Sequence, residues 1–127
     1  MKQMFSTAIV IALALPGLAM AEGDAEKGQK AFNKCKSCHQ VGDKAKNKTG
    51  PVLNGIIGAA AGAVDGFKYS KPMKSAADGG LVWSEEELAA FLTKPKAYMK
   101  GTKMSFAGLR KAADVAAVIA YLKSEGG

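Results

Sequence analysis

Cys35-Lys36-Ser37-Cys38-His39 is the most informative segment of this sequence. Its C-x-x-C-H spacing is the pattern of covalent haem attachment. The spacing brings two sulfurs to one side of a helical turn, where each can add to a haem vinyl group. The histidine that follows directly can turn a ring nitrogen to the iron. The motif therefore predicts one covalent haem c, bonded to Cys35 and Cys38, with His39 as an axial ligand.

Three other interpretations of the motif explain less. A structural zinc site needs four ligands, and two cysteines with a lone histidine cannot fill one. A thioredoxin-like dithiol needs a surrounding βαβ pattern, which the sequence lacks. A plain disulfide is allowed in an exported protein, but it gives no reason for the adjacent histidine.

The second axial ligand of the iron is less easily identified. His39 is the only histidine in the chain, so a second histidine of the same molecule is excluded. A methionine, a lysine, water or an open position remains. The methionines beyond the N-terminal segment are Met73, Met99 and Met104. Because methionine is more often core filler than ligand, position alone leaves Met99 and Met104 open.

The N-terminal segment has the order of a secretory signal. Lys2 precedes an apolar run over 8–15, and Pro16 then leads to the small-residue tripeptide Ala19-Met20-Ala21. The alternative is an uncleaved anchor, because the longer apolar stretch from Met4 to Ala21 approaches the roughly 18 residues that a spanning helix needs. The sequence thus predicts a secretory signal at 1–21 and a single domain at 22–127, located in the periplasm.

The balance of charges is basic. The chain has 18 Lys and Arg against 11 Asp and Glu, a net charge of +7, and removal of Lys2 with the signal leaves +6. Such a surface suits an acidic partner, an anionic membrane or a nucleic acid. We exclude nucleic acid, because an exported protein seldom meets it and the aromatic residues are not interleaved with the lysines.

The helices at the two ends of the mature chain can be placed from local signals. Asp24 is a typical N-cap, and an apolar or small stripe then predicts a helix from Ala25 towards Lys36. A last helix from about Ala112 to Ser124 has an apolar face. We expect this face to pack on that of Gly28 and Phe32.

The middle of the chain is mostly irregular in this interpretation. Residues 41–80 are rich in glycine and lysine and have no sustained period, which predicts long loops. A helix then begins after Ser84, whose hydroxyl forms a capping box with Glu87, and ends before Pro95. With 15 glycines and few aromatics, a core of side chains alone is thin, so a large buried cofactor would complete it.

Taken together, these features resemble the class I cytochromes c, in particular the bacterial cytochrome c2 branch close to mitochondrial cytochrome c. The similarity covers Gly23 to Leu122. It implies an all-α cytochrome c fold, with three main helices plus short helices and long loops wrapped around one haem. Besides the haem motif, its markers are Gly23-Asp24-Ala25-Glu26-Lys27-Gly28, Phe32, Lys48-Thr49-Gly50-Pro51, Leu53, Gly55, Gly66-Phe67-Lys68-Tyr69, Trp83, Pro95-Lys96, Gly101-Thr102-Lys103-Met104 and Phe106-Ala107-Gly108.

The resemblance also implies roles for single residues. Met104 would be the sixth ligand of the iron. The Pro51 carbonyl would accept the outer imidazole N–H of His39 and so fix its tautomer. The residues that would hydrogen-bond one haem propionate are Tyr69 and Trp83, with Thr102 near the other propionate.

Three positions depart from the family pattern. Ala59 stands where an arginine is frequent near the buried propionate, and Phe91 replaces a tyrosine that touches the methionine sulfur. Lys100 replaces the proline usual before Gly101. Because a charge and a hydrogen bond are lost, the family's reduction potential does not carry over to this chain.

The function implied is that of a soluble, monomeric electron carrier. With both axial positions filled there is no open site for a substrate, so we expect no enzyme. Its partners would be the acidic docking faces of a cytochrome bc complex and of an oxidase, a reductase or a photosynthetic reaction centre. The lysines expected near the haem edge are Lys34, Lys36, Lys48, Lys96, Lys100 and Lys103.

Two other functions stay open on the sequence. One is a haem enzyme or gas sensor, in which the loop between Gly101 and Gly108 releases Met104. The other is an exported basic binding module with a disulfide and no haem.

Overall fold

The computed structural model describes residues 23–125, so the predicted signal at 1–21 lies outside the described residues. Within them the chain is helical, and its only β pairing is an isolated antiparallel bridge between Ala60 and Val82. The helices are α1 (Ala25–Ala31), α2 (Lys71–Asp78), α3 (Glu85–Thr93), α4 (Pro95–Tyr98) and α5 (Ala112–Ser124), and a 3₁₀ turn spans Phe32–Lys34.

The first helix begins as predicted but ends earlier. Asp24 caps it, since its Oδ1 accepts from Glu26 N at 2.9 Å and from Lys27 N at 3.4 Å. The prediction that the helix runs to Lys36 was wrong, because after Ala31 the chain tightens into the 3₁₀ turn. This tightening places the ring of Phe32 in the core, where its side chain is 1% exposed.

The predicted contact between the first and last helices is present. A Cβ atom on Gly28 would overlap the Ala117 carbonyl and would lie 2.8 Å from Tyr121 Cβ, so the helices meet where α1 has no side chain. The rings of Phe32 and Tyr121 pack with centroids 5.3 Å apart. Val118 is buried at the same contact. The pairing fixes the segment that enters the cysteine motif.

Helix α3 has half of the predicted capping box. The Ser84 hydroxyl accepts from Glu87 N at 3.2 Å. The reciprocal half is absent, because Ser84 N donates to Val82 O and the Glu87 carboxylate accepts from the Tyr98 hydroxyl of α4 instead. The helix ends at Thr93, as expected from Pro95. It packs on α5, where Lys123 Nζ lies 2.9 Å from Glu85 Oε1.

Helix α2 lies within the stretch for which long loops were predicted. Ser70 caps it by accepting from Met73 N at 3.3 Å, and Pro72 occupies its first turn. A serine cap followed by proline is a helix-start signal that the sequence analysis did not use. The helix has only eight residues and buries none of them fully, so its apolar pattern is too short to reveal it.

The loops are held by backbone pairing. Gly50 N donates to Cys38 O at 2.8 Å and Leu53 N to Gln40 O at 3.1 Å, so the segment after the motif folds back onto it. Trp83 N donates to Ala59 O at 2.8 Å, which joins the middle loop to the start of α3. Along residues 23–125, no helix combines the length and hydropathy needed to cross a bilayer.

Candidate haem site

The cysteine motif forms a tight turn after α1. Cys38 N and His39 N both donate to Cys35 O, at 3.1 and 2.9 Å, so the two cysteines occupy one turn. Both cysteines are half-buried. Burial raises the pKa of the Cys35 thiol, Cys38 raises it further, and Lys34 lowers it. The backbone of this turn thus keeps Cys35 and Cys38 close together, and their attachment to a haem stays a prediction.

The orientation of His39 is fixed by Pro51. The His39 Nδ1 atom lies 2.8 Å from Pro51 O, and because a carbonyl can only accept, Nδ1 carries the proton. Burial lowers the pKa of the His39 imidazole, and the hydrogen bond to Pro51 partly offsets that effect. The neutral ring therefore keeps its lone pair on Nε2, the form of histidine that binds a metal.

The structure separates the three methionines. Met99 belongs to the buried core, with 6% of its surface exposed, whereas Met73 and Met104 are half-buried. Met73 lies in α2, and Met104 lies in the loop that joins α4 to α5. The burial of Met99 gives it the role of core filler. Met104 as a ligand stays a prediction, which this difference in burial favours.

The loop that carries Met104 is fixed at both ends. Thr102 N donates to Met99 O at 3.2 Å, and the Thr102 hydroxyl accepts from Met104 N at 3.3 Å. At the far end Leu109 N donates to Leu92 O at 2.8 Å, so the loop is bonded to α3. Thr102 therefore shapes the backbone at Met104, a contribution that the sequence analysis did not anticipate.

The two aromatic residues expected at a propionate lie in different surroundings. The Tyr69 hydroxyl accepts from Val64 N at 3.0 Å, so its proton is free to donate to another group. Burial raises the pKa of Tyr69, so this proton is retained at neutral pH. Trp83 is 4% exposed and packs against Phe91, with ring centroids 5.2 Å apart. Their roles towards a propionate stay predictions.

The surroundings of the cysteine motif fit a haem. Within the described residues, no group of three or more His, Cys, Asp or Glu side chains is placed to hold a metal ion. Many apolar side chains pack on the core while remaining partly exposed, which suits a large apolar ring. They include Leu53, Ile56, Ile57, Leu81 and Phe106.

Two residues that are connected to His39, Gly50 directly and Asn47 through the Pro51–Val52 peptide, were not singled out from the sequence. Gly50 is buried against the imidazole ring. The Asn47 side chain hydrogen-bonds to the backbone N of Val52 and to the backbone O of Asp65. Gly50 lies in the quoted Lys48-Thr49-Gly50-Pro51 segment, but the sequence does not indicate its contact with the imidazole ring. Asn47 bonds to a residue 18 positions away, which no local pattern indicates.

Comparisons with known proteins agree with this geometry. The family model described as Cytochrome c matches residues 25–125. Cytochrome c2 of Agrobacterium tumefaciens (strain II Chrys) is 50% identical over 101 residues, which cover 80% of this chain and 91% of that protein.

Two solved structures have a similar fold. Cytochrome c2 from Rhodospirillum centenum has a TM-score of 0.78 at 39% identity, with 83% of this chain and 100% of that chain covered. Cytochrome cH from Methylobacterium extorquens has a TM-score of 0.73 at 43% identity, with 80% and 99% covered. The expected fold, with three main helices, short helices and long loops, is confirmed.

Proposed function

Because this chain belongs to the cytochrome c family, we propose that it shuttles single electrons in the periplasm between a cytochrome bc complex and a terminal oxidase, a reductase or a photosynthetic reaction centre. Family membership makes it an electron-transfer protein with one covalent haem c, and a carrier instead of an enzyme. The observation that carries the proposal is the hydrogen bond of 2.8 Å between His39 Nδ1 and Pro51 O. It leaves the other ring nitrogen available to iron.

In this proposal four side chains hold the cofactor. Cys35 and Cys38 would form the thioether bonds, and His39 and Met104 would be the axial ligands. The bound haem supplies a one-electron couple between ferrous and ferric iron. A thioether ligand raises the potential of that couple, because soft sulfur favours ferrous iron. With two protein ligands no coordination position is left for a substrate, which supports a carrier.

The surroundings of the two ligands support rapid electron exchange. His39 is oriented by Pro51, and the backbone at Met104 is held by the Thr102 hydroxyl. The Met104 loop is further bonded to α3 through Leu109 N and Leu92 O. Because these contacts involve backbone and side chains of the protein alone, they can persist in both oxidation states. Little rearrangement then accompanies electron transfer.

The lysines expected at the docking face are all solvent-exposed. An exposed cluster of one sign attracts an acidic partner and raises the encounter rate. Lys48 Nζ also lies 3.5 Å from Lys36 O, which places these two residues side by side. The exposed lysines are Lys34, Lys36, Lys48, Lys96, Lys100 and Lys103.

Two measurements on the purified protein test the cofactor and the location. Mass spectrometry should give a chain that begins at Glu22 and carries the added mass of one haem. The haem band should survive acid-acetone extraction. A chain that retains residues 1–21, or one that loses its haem on extraction, would contradict export with cleavage or covalent attachment, respectively.

The ligand assignment is tested by a matched pair of substitutions. The ferric protein should have a sulfur-to-iron charge-transfer band, which Met104→Leu should abolish and Met73→Leu should leave unchanged. The two changes alter side-chain volume equally, and both sites are half-buried. A band that survives Met104→Leu would show that Met104 is not the ligand. A wild-type protein without the band would favour an open-site haem enzyme or gas sensor.

A further inference from the structure

We propose that Asn47 is a positioning residue for the axial ligand, acting through the Pro51 carbonyl to strengthen electron donation from His39 to the iron. The inference rests on the proposed function, because it takes His39 as a ligand. It assigns to Asn47 a role in setting the reduction potential.

The side chain of Asn47 uses both ends of its amide. Its Oδ1 accepts from Val52 N at 3.0 Å, and its Nδ2 donates to Asp65 O at 3.2 Å. A backbone N–H can only donate and a carbonyl can only accept, so these two partners fix the orientation of the amide. Asn47 thereby joins the loop after the cysteine motif to the loop that contains Asp65.

The bond to Val52 acts on the same peptide unit as the bond to His39. The Val52 N–H and the Pro51 carbonyl belong to one planar trans peptide, in which they point to opposite sides. Asn47 holds the N–H end of this plane, and His39 Nδ1 binds its oxygen at 2.8 Å. Rotation of the plane would break both bonds together, so Asn47 fixes the direction of the carbonyl.

The peptide that follows Pro51 is held by a side chain. Pro51 has no backbone N–H, so its backbone can only accept hydrogen bonds, as its carbonyl does from His39 Nδ1. The preceding residue is held because Gly50 N donates to Cys38 O at 2.8 Å. After Pro51, the Val52 N–H donates to the Asn47 side chain, and this bond holds the Pro51–Val52 peptide.

The arrangement also strengthens the carbonyl as an acceptor. Hydrogen bonds in series polarise one another, and this series runs from the Asp65 carbonyl through the Asn47 amide and the Pro51–Val52 peptide to His39 Nδ1. When the carbonyl accepts the Nδ1–H hydrogen bond more strongly, the histidine becomes a more basic ligand. A more basic ligand favours ferric iron, so intact Asn47 lowers the reduction potential.

Asn47→Ala tests the proposal, with Asn54→Ala as a matched control. Asn54 also makes two hydrogen bonds, with Gly42 N at 3.0 Å and Gly42 O at 2.8 Å, in the same loop. Neither bond touches the Pro51–Val52 peptide. Both variants should lose similar thermal stability, whereas only Asn47→Ala should affect His39.

The readouts are the midpoint potential of the haem protein and hydrogen exchange at His39 Nδ1, followed by NMR in the ferrous form. We expect Asn47→Ala to raise the ferrous-to-ferric ratio at a fixed applied potential at least twofold and to accelerate exchange at least tenfold. Asn54→Ala should change neither. Equal effects in the two variants would indicate loop loosening alone and would overturn the proposal, as would no effect of Asn47→Ala.

Asn47→Asp provides a second test if the alanine variant folds poorly. Aspartate still accepts from Val52 N but cannot donate to Asp65 O, so it should keep exchange at Nδ1 close to that of the wild type. Fast exchange in Asn47→Asp would contradict the proposal. Failure of the proposed function is recognised separately, because a missing sulfur-to-iron band in the wild type concerns Met104 and leaves the His39 readouts in place.

Discussion

The imidazole ring of His39 lies against the backbone of Gly50, so closely that a Cβ atom at position 50 would come within 2.7 Å of both ring nitrogens. Only glycine leaves room for the ring in its bond to Pro51. We expect Gly50→Ala to displace His39 and to lower the free energy of unfolding by about 1–3 kcal/mol, as overpacking does. Guanidinium unfolding of the haem protein measures the loss of stability, and NMR of the His39 Nδ1 proton in the ferrous form measures the displacement of the ring.

Gly79→Ala is the control for this change. A Cβ at position 79 would meet its nearest atoms at 3.4 and 3.5 Å, an ordinary van der Waals contact, and its φ is −77°. This variant should unfold within about 0.5 kcal/mol of the wild type. A Gly50→Ala protein as stable as Gly79→Ala, with an unchanged spectrum, would show that the imidazole has room to move.

At the contact between α1 and α5, Gly28→Ala has two opposite effects on the free energy of unfolding. Alanine favours the helix by about 1 kcal/mol over glycine. Its Cβ, however, would overlap the Ala117 carbonyl and force the helices apart. We expect the clash to dominate, with a net loss of about 1–2 kcal/mol in the free energy of unfolding. The neighbouring Gln29→Ala, on the exposed face, should be neutral, and a stabilised Gly28→Ala protein would contradict the close approach.

The raised pKa of Tyr98 predicts a loss of stability at alkaline pH. This pKa is raised to about 12, first by burial and further by the hydrogen bond to Glu87 and the charge of Glu87. The unfolded phenol titrates at about pH 10, so between these values the unfolded state binds fewer protons. The stability contributed by Tyr98 is therefore complete below about pH 10 and is lost as the pH rises to about 12.

Tyrosinate absorbance and alkaline unfolding measure this effect. Tyr98→Phe should remove the corresponding part of the pH dependence. Glu87→Gln should lower the pKa of Tyr98 without returning it to the ordinary value, because burial remains the largest cause. An unchanged Tyr98 titration in Glu87→Gln would show that the carboxylate does not act on the phenol.

Electron transfer between this protein and an acidic partner should slow steeply as salt is added. Exposed charges attract over about 10 Å at 0.1 M ionic strength, and screening shortens that range. Stopped-flow reduction by a purified cytochrome bc complex measures the slope. Lys96→Gln should reduce it more than Lys30→Gln, an exposed lysine on α1 outside the proposed docking face. A flat salt profile, or equal effects of the two variants, would rule out steering by this face.

Local signals in the sequence were sufficient to predict a helix start that is fixed by neighbouring residues. Asp24 and Ser84 cap their helices as predicted, because an N-cap bonds to amides only two or three positions away. The end of the first helix was not predictable in this way. There the chain tightens to bury Phe32 against Tyr121, a residue at the other end of the chain.

The same difference between local and tertiary signals applies to the candidate site. Its cysteines and histidine are contiguous, so their spacing alone indicated haem. Met99 and Met104 were equivalent by position, and only the family resemblance preferred one of them. Their different burial is a tertiary property, as is the bond from Asn47 to Asp65, and neither has a local pattern that could reveal it.

The packing of α1 against α5 has a consequence for the order of events during biosynthesis. Helix α1 is made first and α5 last, so α1 has no partner until the chain is almost complete. A seven-residue helix is too short to be stable alone. Until synthesis reaches α5, the cysteines that follow α1 therefore remain on an unfolded, accessible segment.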